Sequence, residues 1–194
     1  MANNLMEMCH HLPNTNVDEI SAALKLGTRR LVAPTYLQGG MGDGGGCHPR
    51  DNIAMSWLSN ELGLKYNYYD FIMKKREEQS QFLADLVKSK KEELNMEVCI
   101  LGIAFKAETN LLDGSTALLL KHQLKEIGIE VDTYDPNIDT KEFKLEKKIY
   151  FIGCGHKIFK TYKFVEGSHV IDPHRYLPKL EGVTYTEVGI GPKI

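Results

Sequence analysis

Residues 96–105 read Met-Glu-Val-Cys-Ile-Leu-Gly-Ile-Ala-Phe, a mostly apolar run of the kind that forms a buried β-strand. An amphipathic helix is predicted next, over Ser115–Glu126, and then an alternating strand over Ile129–Tyr134. Two more short apolar segments follow at Lys148–Ile152 and Ser168–Ile171. This alternation of strands with a helical connection predicts an α/β fold with a doubly wound, Rossmann-like parallel sheet.

Polar residues and glycines gather at the carboxyl ends of these predicted strands. In open parallel sheets ligands bind at that edge. We therefore expect a single rim to hold Phe105-Lys106, Asp135, Gly153–His156 and Asp172–Arg175. His156 has two interpretations, a phosphate contact or a turn residue, and its Gly-Cys-Gly-His context favours the turn.

Residues 1–94 have helical periodicity instead. Their spacing and caps predict four helices and one long loop at residues 28–50; the helices are expected over Met1–Leu12, from an Asn16 N-cap to Gly27, from Pro49 to about Leu62, and over Tyr66–Leu94. The charge run Lys74–Glu78 is interpreted as a solvated helix face, and Trp57 as a core or dimer-interface residue. We predict a helical domain at residues 1–94 and a sheet domain at residues 95–194.

Composition and charge exclude several classes of protein. The 194 residues carry a net charge of −2, from 24 basic and 26 acidic residues that are well mixed, which argues against a nucleic-acid partner. The longest uncharged apolar stretch, Val98–Phe105, is far shorter than the ~20 residues of a membrane span, and no secretory signal is recognisable. The four cysteines form no CxxC pair, so we expect free thiols in the cytoplasm and no metal site.

A glycine-rich segment lies inside the predicted loop. Six of the eight residues from Gly39 to Gly46 are glycine, and Gly40, Gly42 and Gly45 match GxGxxG. A dinucleotide fingerprint needs a strand directly before this motif, and no convincing strand precedes it here. We interpret the glycines instead as positions where backbone N–H groups approach a ligand closely, which a Cβ would prevent.

Cys47 follows the glycines and precedes a helix that begins near Pro49. A helix N-terminus stabilises a thiolate, so Cys47 is a candidate nucleophile. Asp51 lies one turn further on the same face, where a carboxylate can orient a water molecule. A small buried cysteine beside a tight turn fits the same spacing, and the residues alone leave both interpretations open.

Residues 45–51, Gly-Gly-Cys-His-Pro-Arg-Asp, resemble the GGxCxPKD signature of the UDP-glucose/GDP-mannose dehydrogenase family of NAD-dependent nucleotide-sugar 6-dehydrogenases. Three more segments agree in order and spacing. Residues 3–9 are similar to the family's NE(I/L)xxLC helix, residues 100–106 to its (I/V)LGxAFK strand and residues 131–136 to its VxxYDP strand end. The resemblance covers essentially the whole chain.

The resemblance implies a specific chemistry. Two hydride transfers to NAD oxidise the C6 alcohol of a nucleotide sugar, expected to be UDP-linked, to a carboxylate, as in polysaccharide biosynthesis. It assigns Cys47 as the nucleophile that forms a thiohemiacetal and then a thioester, Asp51 to thioester hydrolysis and Lys106 to the oxyanion. The residues that it assigns to substrate binding are Arg30, Tyr36, Leu37, Gly44, Phe105 and Arg175.

Departures from the family pattern shape the remaining expectations. In the family, a catalytic lysine, a catalytic asparagine and the N-terminal domain that binds most of the NAD all precede the segment matched by Asn3. Because this chain is not matched to those parts, we expect it to be inactive alone. Asp113 stands where the family usually has an arginine. The alternatives are a non-catalytic nucleotide-sugar-binding and dimerisation fragment, or an unrelated thiol enzyme. We expect a homodimer formed through residues 1–94.

Overall fold

The computed structural model describes residues 2–27, 37–42 and 44–192. Five helices, five strands and one short 3₁₀ helix are described, in the order α1 Ala2–His11, α2 Val17–Lys25, α3 Cys47–Glu61, α4 Tyr68–Leu94, β1 Val98–Leu101, α5 Thr116–Glu126, β2 Asp132–Tyr134, β3 Ile149–Ile152, the 3₁₀ helix Lys157–Thr161, β4 His169–Asp172 and β5 Thr184–Glu187.

All five strands are parallel and form one sheet in the order β2-β1-β3-β4-β5. This confirms the predicted α/β parallel sheet. The β5 edge strand was not predicted, because Thr-Tyr-Thr-Glu is short and only half-buried and therefore gives no apolar run.

Side chains of the central strands alternate between two hydrophobic cores. On one face Ile100, Phe151 and Ile171 pack with α4 and α5, through residues such as Leu83 and Leu120. The opposite face is covered, within the described residues, by the 3₁₀ helix and irregular segments around the core residues Leu101, Ile152, Phe159 and Phe164. Both faces of the sheet are therefore buried, as a parallel sheet requires.

Helix boundaries follow local capping chemistry. The side chains of Asn16, Asn67 and Ser115 each accept a hydrogen bond from a backbone N–H in the first turn of α2, α4 and α5. Asn95 ends α4 in the left-handed region, at φ +49°. The long α4 helix contacts α3, and it also packs beside α5 on the sheet. The division between residues 94 and 95 stays a prediction.

The helical part presents a broad apolar surface to solvent. Its members lie on α3, on the turn after it and on the first turns of α4, and the most exposed are Ile53, Trp57, Leu62, Leu64, Tyr66, Tyr68 and Phe71. Trp57 is 62% exposed, so it is no part of the chain's own core, and its alternative role between two copies stays a prediction. None of the helices in the described ranges combines the length and apolarity that a membrane crossing requires.

Candidate functional site

The sheet has its topological switch point between β1 and β3. The chain leaves β1 through α5 to reach β2 on one side, and it leaves β3 toward β4 on the other. Gly102 and Gly153 follow these two strands, and a Cβ on Gly153 would lie 2.5 Å from the carbonyl oxygen of Gly102. Only glycine permits this approach, and it opens the sheet edge to a ligand.

A cleft of about 740 Å³ lies at this switch point. Gly153–Gly155 line this cleft at the end of β3. The other lining residues come from several separate segments, among them Ala2 and Asn3, Gln38–Gly42, Phe105–Ala107, His174 and Tyr176, and α4 residues including Lys75, Arg76 and Gln79. Lys106 is exposed at the wall, and Lys75 forms an ion pair with Glu7 at 3.1 Å. The basic side chains suit an anionic ligand such as a diphosphate.

Asp135 organises the rim after β2. Its buried carboxylate accepts hydrogen bonds from the backbone N–H groups of Ile103 at 2.8 Å and Ala104 at 2.9 Å, and it contacts Nε2 of His156 at 3.1 Å. His156 is 1% exposed, and its Nδ1 accepts the backbone N–H of Glu108 at 3.1 Å. These contacts support the turn interpretation of His156 and fix the segment that leads to Phe105.

Cys47 is the first residue of α3, with Gly46 as N-cap. The loop before it docks on the segment before α5: the Gly45 N–H donates to the Gly114 carbonyl at 3.1 Å, and a Cβ on Gly44 would lie 2.9 Å from the Phe105 carbonyl oxygen. A second cleft, of about 410 Å³, is lined by Gly44–His48, Phe105, Leu111 and Asp113. Phe105 lines both clefts, so the two sites share a wall.

The four thiols have different surroundings. Cys47 is exposed, whereas Cys9, Cys99 and Cys154 are buried. Burial raises the pKa of Cys99 and of Cys154 to about 12, which keeps both protonated at neutral pH. Cys47 is therefore the accessible thiol, and the interpretation of it as a small buried residue is wrong.

Asp51 lies on α3 one turn after Cys47. The Nε of Arg50 donates to its carboxylate at 2.9 Å, and both side chains are exposed. The hydrogen bond to Asp51, followed by the charges of Asp51 and Cys47, raises the pKa of Arg50. The carboxylate therefore has a cationic neighbour in Arg50 and is exposed to water.

The predicted substrate-binding residues fall in different places. Gly44, Phe105 and Lys106 meet at the two clefts, whereas Arg30 and Tyr36 lie outside the described residues. Leu37 is 5% exposed and belongs to the buried residues beside the glycine segment. Within the described ranges, no three His, Cys, Asp or Glu side chains group as metal ligands.

Arg175 is committed to protein groups. Its guanidinium forms a two-fold hydrogen bond with the Asp18 carboxylate, at 2.8 Å each, and donates to the carbonyls of Gly39 at 3.0 Å and Val188 at 2.9 Å. The side chain is 2% exposed. Arg175 thus connects α2 and Gly39 to the segment after β4, and it stabilises the cleft wall instead of lining the cleft.

Several lining residues were missed in the sequence. The run Lys74–Glu78 was interpreted as a solvated face, yet Lys75 and Arg76 line the large cleft. Asn3 accepts the Gly40 N–H at 3.1 Å and so holds the glycine segment to α1. The helical pattern of α4 gave no signal for the cleft, because which face of a long helix meets a ligand depends on the sheet that packs against it.

Comparisons with known proteins agree over both halves of the chain. Residues 1–77 match the model of the UDP-glucose/GDP-mannose dehydrogenase family, central domain, and residues 99–174 match that of the family's UDP binding domain. UDP-glucose 6-dehydrogenase TuaD of Bacillus subtilis is 25% identical over 135 residues, which are 69% of this chain and 29% of the relative. UDP-glucose 6-dehydrogenase AglM of Haloferax volcanii is 27% identical over 136 residues, 70% of this chain and 31% of that one.

Solved structures resemble the whole chain in fold. A UDP-glucose dehydrogenase from Pyrobaculum islandicum has a TM-score of 0.79 at 21% identity, covering 97% of this chain and 47% of its own. A UDP-D-ManNAc dehydrogenase from Pyrococcus horikoshii has a TM-score of 0.76 at 22% identity, with the same coverage. The chain therefore spans about a third of the sequence relatives and about half of the structural ones.

Proposed function

Because this chain belongs to the UDP-glucose/GDP-mannose dehydrogenase family, we propose that it is the nucleotide-sugar-binding, cysteine-bearing part of an NAD-dependent nucleotide-sugar 6-dehydrogenase. The observation that carries this proposal is the shared Phe105 wall, which joins a large basic cleft at the switch point to the cleft of Cys47. A ligand with its diphosphate in the first cleft reaches toward the thiol in the second. The expected product is a UDP-uronate, made in the cytoplasm for polysaccharide biosynthesis.

The described residues do not fit a dinucleotide site. Gly40 and Gly42 of the GxGxxG match line the large cleft from a segment outside the sheet. Asp113 lines the cleft of Cys47, where its negative charge would repel a cofactor phosphate. We therefore assign NAD, the acceptor of both hydrides, to a cofactor domain additional to these residues. The alternative is a module that binds the sugar nucleotide and dimerises without catalysis.

The steps assigned to this chain are the two bond changes at sulfur. The Cys47 thiolate adds to the C6 aldehyde to form a thiohemiacetal, and a proton from solvent neutralises the oxyanion. After that carbon has been oxidised to a thioester, water attacks it and the C–S bond breaks. A carboxylate and the free thiolate result, and of the two protons released one goes to Asp51 and the other to solvent. Asp51 accepts the proton of the attacking water, and Lys106 stabilises the oxyanion by its positive charge.

Ligand binding tests the first part of the proposal. We expect the 194-residue chain to bind UDP-glucose and UDP in isothermal titration calorimetry. Lys106→Met should weaken binding about tenfold or more, since a charged hydrogen bond is removed. Lys88→Met, an exposed lysine on α4, is the matched control and should leave affinity unchanged. If millimolar UDP-glucose or GDP-mannose gives no heat, the nucleotide-sugar proposal fails.

Thiol chemistry tests the catalytic part. We expect iodoacetamide to modify Cys47 first in peptide mapping, because its thiol is exposed whereas those of Cys9, Cys99 and Cys154 are buried. Faster modification of any of the other three cysteines favours the non-catalytic alternative. Residues 1–194 alone should not reduce NAD with UDP-glucose, and turnover above that of a Cys47→Ser variant would contradict the assignment of the cofactor to another domain.

We also propose that two copies associate through the apolar surface of α3 and the first turns of α4. Seven large apolar side chains are more than half exposed on these neighbouring elements and the turn between them, and such a concentration is typical of an interface. Trp57→Glu should convert a dimer to a monomer in light scattering, because it places a charge among these exposed apolar side chains. Ile158→Glu, on the 3₁₀ helix, is the matched control and should stay dimeric. A wild-type monomer at high concentration would refute the proposal.

A further inference from the structure

His174 lies in the large cleft, just beyond the carboxyl end of β4. Its Nε2 is 3.5 Å from the carbonyl oxygen of Gly153, at the end of β3. The Nδ1 edge of the ring faces Gly40, where a Cβ would lie 3.5 Å from Nδ1. The imidazole therefore spans the cleft wall between the switch point and the glycine segment.

The turn that carries this ring is held by hydrogen bonds to Asp172, and the ring itself packs against Tyr176. The buried carboxylate of Asp172 accepts the N–H groups of His174 and Arg175 on Oδ1 and those of Tyr176 and Leu177 on Oδ2, all at 2.9–3.0 Å. The Tyr176 ring packs edge-on against the imidazole, with centroids 6.1 Å apart. A turn held by four hydrogen bonds gives the ring little freedom to leave the cleft.

The contact with Gly153 sets the tautomer. A carbonyl oxygen only accepts hydrogen bonds, so Nε2 carries the proton and Nδ1 is left as an acceptor. Burial lowers the pKa of His174, although Asp172 acts in the opposite direction, so the ring is neutral at neutral pH. Within the described residues, Nδ1 has no hydrogen-bond partner.

Because Nδ1 of His174 is a hydrogen-bond acceptor, its partner on a ligand must be a hydrogen-bond donor. Phosphate oxygens are acceptors and suit the cationic lining residues Lys75 and Lys106 instead. The donors that a nucleotide sugar offers most densely are the hydroxyl groups of its ribose and its hexose. A neutral imidazole that presents Nδ1 in the cleft is thus matched to a hydroxyl.

We propose that His174 is a specificity-determining residue of this cleft, whose Nδ1 accepts a hydrogen bond from a hydroxyl group of the bound nucleotide sugar. This inference rests on the proposed function, since it takes the nucleotide sugar as the ligand. The ribose and the hexose supply the same chemistry, and the choice of ligands in the experiment separates them.

The experiment compares His174→Phe, which keeps a ring without nitrogen, with His174→Asn, whose amide oxygen replaces the acceptor. His122→Phe, which removes an exposed imidazole from α5, is the matched control. Affinities for UDP-glucose, UDP, 2′-deoxy-UDP and 3′-deoxy-UDP are measured by calorimetry. Thermal unfolding of each variant verifies that it folds.

We expect His174→Phe to bind UDP-glucose about five- to tenfold more weakly, as loss of one neutral hydrogen bond implies, and His174→Asn to retain most of the affinity. If the partner is a ribose hydroxyl, His174→Phe weakens UDP as much as UDP-glucose and leaves the affinity for one of the two deoxy analogues unchanged. A hexose partner leaves the affinity for UDP unchanged. Wild-type affinity of the Phe variant for UDP-glucose, or an equal loss for all four ligands, overturns the inference, and failure of the wild-type chain to bind UDP-glucose overturns the proposed function with it.

Discussion

Gly114→Ala tests how the cysteine loop is held. Gly114 has φ +74°, and a Cβ there would lie 2.7 Å from the Cα of Gly45 and closer still to its carbonyl group. Carbon–carbon contacts need about 3.5 Å, so the Gly45 backbone has to move by roughly 0.8 Å or more. The loop cannot tolerate this shift and keep its hydrogen bond to the Gly114 carbonyl.

The free-energy cost has two parts. The left-handed conformation costs alanine roughly 1–2 kcal/mol. Undocking of the loop costs a further ~1 kcal/mol for the hydrogen bond, plus the contact of Gly44 with Phe105. The loop can detach, and this relieves the clash. The loss in the free energy of unfolding is therefore limited to about 2–4 kcal/mol.

Two matched variants separate these parts. Gly128→Ala carries the same backbone penalty, at φ +79°, in open space, and Gly46→Ala adds a methyl group beside Cys47 with nothing within 4 Å. Urea unfolding should rank the losses in the order Gly114, Gly128, Gly46. Hydrogen exchange of the Gly45 amide should accelerate in Gly114→Ala alone. Equal losses for Gly114→Ala and Gly128→Ala, with the Gly45 amide unchanged, would refute the docked loop.

Two further predictions concern stability. Arg175→Met should lower the free energy of unfolding, measured in urea, by about 2–4 kcal/mol. Backbone carbonyls such as that of Gly39 lose a buried donor, whereas the half-exposed Asp18 is rehydrated. A loss below ~1 kcal/mol would contradict a stabilising role of the Arg175 hydrogen bonds. His169 is held between two threonine hydroxyls of β5, and burial lowers its pKa to about 4. In the unfolded chain the His169 imidazole takes up a proton near pH 6.5, whereas in the folded chain it stays neutral down to about pH 4. The free energy of unfolding should therefore fall by about 2 kcal/mol between pH 7.5 and pH 5, and His169→Gln should reduce that fall. An unchanged fall in His169→Gln would show that the ring is protonated in the folded chain.

The sequence predicted those parts of the fold that depend on local pattern. The apolar run before Gly102, the Ser115 cap and the alternation that follows specify β1, α5 and β2 within a few residues. The rim followed from topology, since parallel strands bring their carboxyl ends to one edge. The β5 strand was missed because a half-buried edge strand is stabilised by its partner β4 rather than by its own composition.

Contacts distant in sequence explain the remaining differences. Arg175 was expected to meet substrate, yet its guanidinium bonds Asp18, 157 residues away, and no local pattern encodes that pair. Lys75 and Arg76 share a charged run with solvent-facing neighbours and face the cleft only because α4 packs on this sheet. Trp57 is apolar at helical spacing, which indicates a buried partner without indicating whether that partner is the same chain.

The glycines of the site have a common physical role, which is to let backbone meet backbone. Gly102 and Gly153 bring two strand ends together at the large cleft, and Gly44 rests on the carbonyl of Phe105 at the smaller one. The Phe105 N–H donates to the Leu111 carbonyl at 2.9 Å, so the backbone of this residue is contacted at both its N–H and its carbonyl group. A side chain at residue 44 would separate the two backbones, whereas glycine lets Phe105 lie directly against the loop of Cys47. The large cleft and the cleft of Cys47 are thus joined by main-chain contacts, which is the arrangement that the proposed reaction at a fixed atom of a long substrate requires.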